Sequence, residues 1–527
     1  MLLNWEIKSK AKPLEAMLAN RGLNPPAKQK AFFNPPHPSQ LKPLSPKKAV
    51  ALIKAVIKAQ KLIYIYGDYD ADGVCSTAIL WETIHALGGK VLPYIPPRTD
   101  PTRGLSVQGI KEIVNLGEKP ELIITVDNGI TADEAVKYAQ SLGIKVIITD
   151  HHQPAAKLPA ADAIVHSLKL AGAGVSWFLA KALGQENSLD LAGLGTIADL
   201  VPLTEANRSL AKFGLEKLRT TKRPGLLLLA RAAKLDLSQI TARQASYNFG
   251  SRLNAMARMQ QALDSVRLLC TKDEPRARKL ADTLETANQN RQALTLETII
   301  HAEKRVDKTQ KLIFIADASY HEGIVGLVAG RLAEKFNRPA VVVAIGKHHA
   351  KASGRSIAGF NLIDAIRSIK ADLINHGGHE QAAGFTAEVK KLSQIKTQLL
   401  QLAKLQLKGE QQASKLEIEC LLDFSAITWP FYRELSRFEP FGMANPEPVF
   451  ATQKVEVIEK RLVGAEKTHL KLKLKQGGKI FDAVFFGKGY LFKDLKPGQP
   501  VDVAYTIEAN HFNGTKSLQL KVKDVTI

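Results

Sequence analysis

Apolar and polar positions along the chain follow two periods, and the switch between them marks its parts. The run Lys61-Leu62-Ile63-Tyr64-Ile65 is short, apolar and rich in Ile and Tyr, which predicts a buried strand. Val74–Leu87 and Thr131–Leu142 predict helices; Lys90–Ile95, Glu121–Val126 and Ile144–Thr149 predict strands. Strands alternating with helices predict a parallel, doubly wound α/β sheet, with its ligand crevice outside the carboxyl ends of the strands. Helical patterning then runs from Leu189–Leu200 through Thr271. Glu274–Asp307 reads as one long helix, with Leu280, Leu284, Ala287 and Leu294 at near-heptad spacing. Polar over most of its surface, it suits a bridge between two domains. A second α/β unit follows, with strands at Leu312–Ala316 and Ala340–Ile345, a helix at Gly323–Phe336, and a core-packing helix over Lys390–Lys408. From about Pro448 the period falls to two, as in His469-Leu470-Lys471-Leu472-Lys473-Leu474-Lys475. Roughly five strands fit after Val449, matching a small OB-like β-barrel. Its lysines either track a phosphate backbone or protect strand edges, and the pattern leaves both readings open.

These elements divide the chain into an arm and helix over 1–60, an α/β domain over 61–271 and a linking long helix over 272–308. A second α/β domain over 309–410, a connector over 411–447 and the barrel over 448–527 complete it. At 527 residues the chain is too long for one core. Lys and Arg number 73 against 51 acids, a net charge of +22, which favours a polyanionic partner, either nucleic acid or an anionic membrane surface. Cys75, Cys270 and Cys420 are widely spaced and odd in number, giving no disulfide framework and no metal knuckle; a reducing compartment follows. The first residues, Met1-Leu2-Leu3-Asn4-Trp5, lack the apolar core of a signal peptide. No stretch approaches the ~20 apolar residues of a membrane span. The expected location is the cytoplasm, with no membrane partner.

The candidate chemistry sits where strands end. Gly67-Asp68-Tyr69-Asp70-Ala71-Asp72-Gly73 follows the first strand, Asp127-Asn128-Gly129 another, and Asp150-His151-His152 a third. Asp199 lies among apolar neighbours in Leu194-Gly195-Thr196-Ile197-Ala198-Asp199-Leu200-Val201-Pro202. It either turns to solvent at a helix end or is satisfied by a cation or hydrogen bonds. Two carboxylates ~4 Å apart repel by roughly 1 kcal/mol in water and about 4 at an effective dielectric near 20, so a site that keeps several ionised usually holds a divalent cation. Any one of these motifs alone reads as a polar turn; three acidic turns at one sheet edge read as a site. Carboxylates with imidazole and no thiolate suit Mn²⁺ at least as well as Mg²⁺. One Asp bridging two ions about 3.5–4 Å apart gives a two-metal clamp for hydrolysis at phosphorus.

Asp70-Ala71-Asp72, Asp127, Asp150-His151-His152 and Asp199 resemble the four motifs of the DHH phosphoesterase superfamily, and Gly377-Gly378-His379 resembles the motif of its accessory DHHA1 domain. Gly67–Gly73, Leu194–Leu203, Arg252-Leu253-Asn254-Ala255 and Pro440-Phe441-Gly442 are similar to the forms found in RecJ-type single-strand-specific 5′→3′ exonucleases. The resemblance covers nearly the whole chain, with the motifs in order. It implies a catalytic DHH domain, a DHHA1 domain and a nucleic-acid-binding barrel. It also implies a metal-dependent exonuclease that degrades single-stranded DNA to 5′-mononucleotides in repair and recombination, with two ions, Mn²⁺ or Mg²⁺. Carried over, Asp127 bridges the ions, Asp72, His151 and Asp199 complete one shell, and Asp70 serves the other. Asp68 and Asp150 orient ligands, although a purely structural turn suits them as well, and His152 faces the scissile phosphate or its water. Ser353, Arg355 and His379, with Arg98 and Arg252, correspond to phosphate-handling and DNA-binding positions. A single-strand-binding protein and a helicase are the implied partners, and a monomer the implied state.

The chain departs from the family pattern in three places. Tyr66 stands where many DHH proteins carry His, four residues before the first ligand Asp. Arg98-Thr99-Asp100-Pro101-Thr102-Arg103-Gly104 lacks the customary Glu-Gly-Tyr-Gly, and Ser251, Met256 and Ala257 replace Pro, Ala and Gly. Two competing readings are a phosphodiesterase acting on short oligoribonucleotides or cyclic dinucleotides, and a non-catalytic DNA-binding scaffold. The carboxyl-terminal barrel argues against the first, the full set of acids and histidines against the second. No G-x-x-x-x-G-K-[ST] loop supports an ATP-driven motor.

Overall fold

The computed structural model describes residues 3–98, 104–407, 415–464, 466–512 and 514–526. The chain divides into two compact units: residues 1–36, 202–209 and 412–527 form one, and 37–201 with 210–411 the other.

In the larger unit, the first sheet has five parallel strands in the order Val91–Tyr94, Ile63–Gly67, Leu122–Val126, Lys145–Asp150, Ala163–His166. The central strands are buried along their whole length, which is why their sequences are continuous apolar runs with no alternation. On one face Tyr64, Tyr66, Ile123, Val146 and Ile148 pack against Ile110 and Ile113 of helix Val107–Asn115 and Val136 and Ala139 of helix Asp133–Ser141. Helices Ala71–Ala86 and Gly172–Ala182 pack on the sheet as well. The strand order reverses between Ile63–Gly67 and Leu122–Val126, since the chain steps outward to Val91–Tyr94 before crossing back. That reversal opens the ligand crevice at the carboxyl ends of those two strands. Asp68 and Asp127 are the residues that leave them.

The long helix spans Glu274–Glu303, four residues shorter than the pattern predicts, and Asp273 caps it by accepting from the Arg276 N–H. Ala277, Ala281, Leu284, Ala287 and Asn288 are buried along its first half, which meets helices Pro224–Ala232, Ser251–Met259 and Leu263–Cys270. Near its end it meets helix Val325–Phe336 of the second sheet. That sheet is mixed, ordered Asn375–His379, Ala382–Glu388, His349–Arg355, Ala340–Ile345, Ile313–Asp317, with only the last pair parallel.

The smaller unit is a closed five-stranded barrel. Its strands are Phe450–Val463, His469–Gln476, Lys479–Phe485, Pro500–Phe512 and Thr515–Thr526, and the parallel pairing of the third with the fifth closes it. Leu470, Leu472 and Leu474 point inward. The first part of the predicted arm belongs here. Strand Asn4–Ile7 pairs in parallel with Lys415–Ile418, and Ala16 and Met17 of helix Pro13–Asn20 join the barrel's core. The segment 202–209 is tied in by Leu203 N–H donating to Met443 O and by Arg208, which donates to the carbonyls of Phe32, Phe438 and Glu439. Among the described residues, no helix is long and apolar enough to cross a membrane.

Candidate active site

Asp70 is the residue before helix Ala71–Ala86, and its Oδ1 accepts from the N–H groups of Asp72 and Gly73 at 3.0 and 3.1 Å. This cap satisfies two of the helix's open donors and fixes the acidic loop against the sheet edge. Asn254 holds the same turn by accepting from Ala71 N–H at 2.7 Å. Asp72, in the helix's first turn, is buried, and its two oxygens accept from Gly172 N–H at 2.7 Å and Ala173 N–H at 2.8 Å, at the start of helix Gly172–Ala182. Asp127 occupies the left-handed region, with φ of 62°, and is buried. Glycine is required beside these acids: a Cβ on Gly172 would stand 2.6 Å from Asp127 Oδ1, and one on Gly195 would stand 2.7 Å from Asp72 Oδ1.

His151 Nε2 lies 3.0 Å from Asp127 Oδ1, 3.7 Å from Asp199 Oδ2 and 3.9 Å from Asp72 Oδ2. Helix Leu189–Ala198 stops at Asp199, which turns inward, while Leu200, at φ of 60° and 61% exposed, takes the solvent side. Asp150 accepts from the His151 and His152 N–H groups and from Ile130 N–H, and its Oδ1 is 2.8 Å from His152 Nδ1. Oδ1 of Asp150 is thereby committed to orienting the two histidines, and Oδ2 to holding the turn that follows Asp127. His152 is half exposed, its ring 4.4 Å from that of His151.

The electrostatics describe a site short of positive charge. Burial, then Asp70, raises the Asp72 carboxyl to about 7 despite its two N–H partners. Burial, then Asp72 and Asp70, raises Asp199 to about 9 and Asp127 well above the carboxylate range. Burial, then neighbouring His152, pushes His151 down to about 4, so its imidazole is neutral. The hydrogen bond to Asp150 raises His152. Asp127 Oδ1 and Asp199 Oδ2 are buried without a hydrogen-bond partner. Among the described residues, three ligand triplets lie within 4.8 Å: Asp72, His151 and Asp199; Asp127, His151 and His152; and Asp68, Asp70 and Asp127. Carboxyls raised by burial and then by mutual repulsion, a neutral imidazole and orphaned oxygens fit divalent cations. Asp127 belongs to two triplets, and Asp68 joins one of them.

Tyr66 takes no part. Its ring packs 5.1 Å from that of Tyr94 in the core and its hydroxyl donates to Gly104 O at 3.1 Å. The variant stretch between Arg98 and Gly104 lies outside the described residues.

In the second sheet, His379, Ala382 and Arg355 are directly opposed across three strands, and Ser353 is two residues from Arg355, so these side chains share one face. Arg355 donates to Gly354 O at 2.9 Å. Arg98 lies over the Tyr69 ring at 5.0 Å, in the acidic loop. Arg252 is buried, with its Nε donating to Glu285 Oε2 at 2.7 Å and another donor to Asn248 O, so a helix partner already engages this guanidinium. Two further arginines complete the cluster. Arg258 donates to Gly323 O at 2.6 Å, and burial, then Arg98 and Arg291, depress it to about 9, with Arg355 adding to the repulsion. Buried Arg291 Nε has no partner. Crowded guanidinium groups of this kind call for an anion. No pattern in the sequence marks these two, because they meet from separate helices.

Comparison with known proteins agrees with this organisation. The DHH family N-terminal domain matches residues 62–203, the DHHA1 domain 309–405 and the RecJ OB domain 418–524. The chain is 37% identical over 498 residues to the single-stranded-DNA-specific exonuclease RecJ of Bacillus subtilis (strain 168), covering 91% of this chain and 63% of that relative. It is 32% identical over 521 residues to RecJ of Escherichia coli (strain K12), covering 91% and 89%. The crystal structure of RecJ in complex with Mn²⁺ from Thermus thermophilus superposes with a TM-score of 0.86 at 30% identity, covering 99% of this chain and 79% of that one. With three family domains matched in order and this identity over nearly its whole length, the chain belongs to the RecJ family of single-stranded-DNA-specific exonucleases.

Proposed function

We propose that this chain removes 5′-mononucleotides one at a time from the 5′ end of single-stranded DNA, using two divalent cations, Mn²⁺ or Mg²⁺. The observation that carries the reading is the sharing of Asp127 between two ligand triplets at the sheet's switch point. Asp72, Asp127, His151 and Asp199 would hold one ion, and Asp70 and Asp127, with Asp68 in reach, would hold the other. Bound there, the cations supply Lewis acidity to the phosphoryl group and neutralise charge as it develops. Asp150 holds both histidines in place through its hydrogen bonds. His152, whose Nδ1–H donates to Asp150 Oδ1, directs Nε2 toward the phosphate or its water, and the same bond favours the imidazolium that would donate from Nε2. Arg355, Ser353 and His379 on one face, with Arg98 and Arg258, bind the terminal 5′ phosphate, where a guanidinium fork can donate two parallel bonds. Arg252 acts from behind, through its ion pair with Glu285 on the long helix. A helicase or a single-strand-binding protein would supply such strands, and the chain would act as a cytoplasmic monomer in repair and recombination.

Digestion of end-labelled single strands and blunt duplexes with Mn²⁺, Mg²⁺ or chelator tests the reading. The expected result is metal-dependent release of mononucleotides from the 5′ label of single strands alone. Release from the 3′ label, equal digestion of duplex, or activity in chelator overturns it.

A further inference from the structure

The aim of His152 is harder to fix than that of its two neighbours. Asp150 is buried and closes the strand Lys145–Asp150, and the His151 ring is turned inward among the acids, but the His152 side chain is 52% exposed. His152 is also the last residue before residues 153–160, which are exposed except for Pro159. Between Asp150 and Ala163 the chain forms neither helix nor strand. An exposed ring at the start of such a loop keeps one direction only where the backbone on both sides of it is held. Asp150 holds the amino side, where Oδ1 accepts from the His152 N–H at 3.0 Å and lies 2.8 Å from Nδ1. The carbonyl side needs a donor from elsewhere.

That donor is His166. Its Nε2 stands 2.7 Å from the His152 carbonyl oxygen, and since a carbonyl only accepts, the nitrogen carries the hydrogen. His166 ends the strand Ala163–His166 and is paired with Asp150 in the parallel ladder, so its side chain starts from the sheet and not from the loop. The next residue adds a second tie, Ser167 N–H donating to Asp150 O at 3.2 Å. The loop's return is fixed as well, for Asp162 N–H donates to Val146 O and Asp162 Oδ2 accepts from Val146 N–H, both at 2.9 Å. His166 thereby staples the start of the loop to the strand that follows its end. It belongs to none of the ligand triplets among the described residues. No motif marks it, because the bond spans fourteen positions and comes from a strand too short to show a period.

We infer that His166 is a positioning residue for the hydrolysis: through the His152 carbonyl it fixes the direction in which the His152 ring meets the phosphate or its water. The inference rests on the exonuclease reading above, which gives His152 a phosphate to face.

Steady-state digestion of 5′-phosphorylated oligothymidylates by the full chain in Mn²⁺ tests this, together with Mn²⁺ binding followed by electron paramagnetic resonance. His166→Ala removes the donor and is expected to lower kcat at least roughly tenfold with KM within about twofold, since a misplacement of ~1 Å can cost on the order of a hundredfold. His166→Asn, whose amide can donate to the same carbonyl, is expected to keep kcat within about twofold of the parent. His166→Phe fills the space of the ring without a donor, is expected to match the alanine variant, and stands as the test if that variant does not fold. Mn²⁺ affinity is expected to stay within about twofold of parental in all three, because Asp150 holds the His151 N–H independently. In a His152→Ala background, His166→Ala is expected to cost less than about twofold more, as residues acting through one another do not add. Parental kcat in the alanine and phenylalanine variants, loss in the asparagine variant, weakened Mn²⁺ binding, or an undiminished cost in the His152→Ala background overturns the inference. A parent chain that releases no nucleotide overturns the exonuclease reading beneath it, and the inference with it.

Discussion

Three carboxylate oxygens surround one imidazole nitrogen in this site, and each residue of the four comes from a different turn of the chain. Asp127 is the acid that two of the three ligand triplets draw on, and its Oδ1 lies 3.0 Å from His151 Nε2 of the third. Asp127→Ala is expected to lower exonuclease activity by several orders of magnitude while single-strand affinity in chelator stays within about twofold; steady-state digestion and anisotropy check it, and a variant retaining a tenth of parental activity refutes the bridging role. Arg355→Glu is expected to cost more on strands with a 5′ phosphate than on those with a 5′ hydroxyl, and equal losses in kcat/KM on both rule out an end clamp. Much of this was legible in the sequence, because the metal motifs are local: Asp70 and Asp72 share a turn, as do Asp150, His151 and His152. What was not legible depends on contacts between distant segments. Nothing near Tyr66 says that its hydroxyl reaches Gly104, nor near Asp72 that its oxygens meet Gly172 and Ala173. Arg252 has the composition of a phosphate ligand, yet Glu285 on the long helix occupies it.

Helix ends do much of the positioning. Asp70 caps helix Ala71–Ala86 with one oxygen, and its other oxygen remains for an ion. The two duties separate by substitution. Asp70→Asn keeps the cap and is expected to melt with the parent while losing activity, whereas Asp70→Ala is expected to lose activity and about 1 kcal/mol of stability as well; urea denaturation distinguishes them. Toward the other end of the same helix Glu82 receives Arg223 at 2.8 Å, and Arg223 also meets Asp190 at 2.9 Å, at the start of the helix that ends on Asp199. One guanidinium thus joins the two helices that carry Asp72 and Asp199. Arg223→Met leaves Glu82 and Asp190 uncompensated and is expected to cost roughly 3–5 kcal/mol in urea denaturation. The apolar periods located most of these elements because buried strands and amphipathic helices must display them. They missed Ala163–His166, whose four residues are too few to show a period, and the end of Leu189–Ala198, where Leu200 rather than Asp199 faces water.

Two compact units share one chain, and their boundaries fall where sequence cannot place them. Residues 1–36 and 202–209 join the barrel unit through partners hundreds of positions away, such as Asn4 with Lys415 and Trp5, whose Nε1 donates to Asp524 Oδ2. Asp199 itself stands three residues before the crossing at Pro202. The stability of the larger unit is tied to its ions. Asp72 and Asp199 are raised to about 7 and about 9 from the ordinary value near 3.9, so the metal-free folded chain binds more protons than the unfolded chain does. Its stability therefore falls as pH rises toward those values, and a cation, by replacing the protons, removes the penalty. Chelation is expected to lower the melting temperature, and the gap between Mn²⁺-loaded and chelated protein to widen from pH 6 to pH 9; a constant gap contradicts this.

The central claim is that these acids and imidazoles gather a pair of cations, and anomalous diffraction from crystals of the full chain grown with Mn²⁺ tests it most directly. Two peaks are predicted, one among Asp72, Asp127, His151 and Asp199 and one beside Asp68, Asp70 and Asp127, both absent in Asp127→Ala. Manganese bound elsewhere, or peaks that persist without the Asp127 carboxylate, would contradict it.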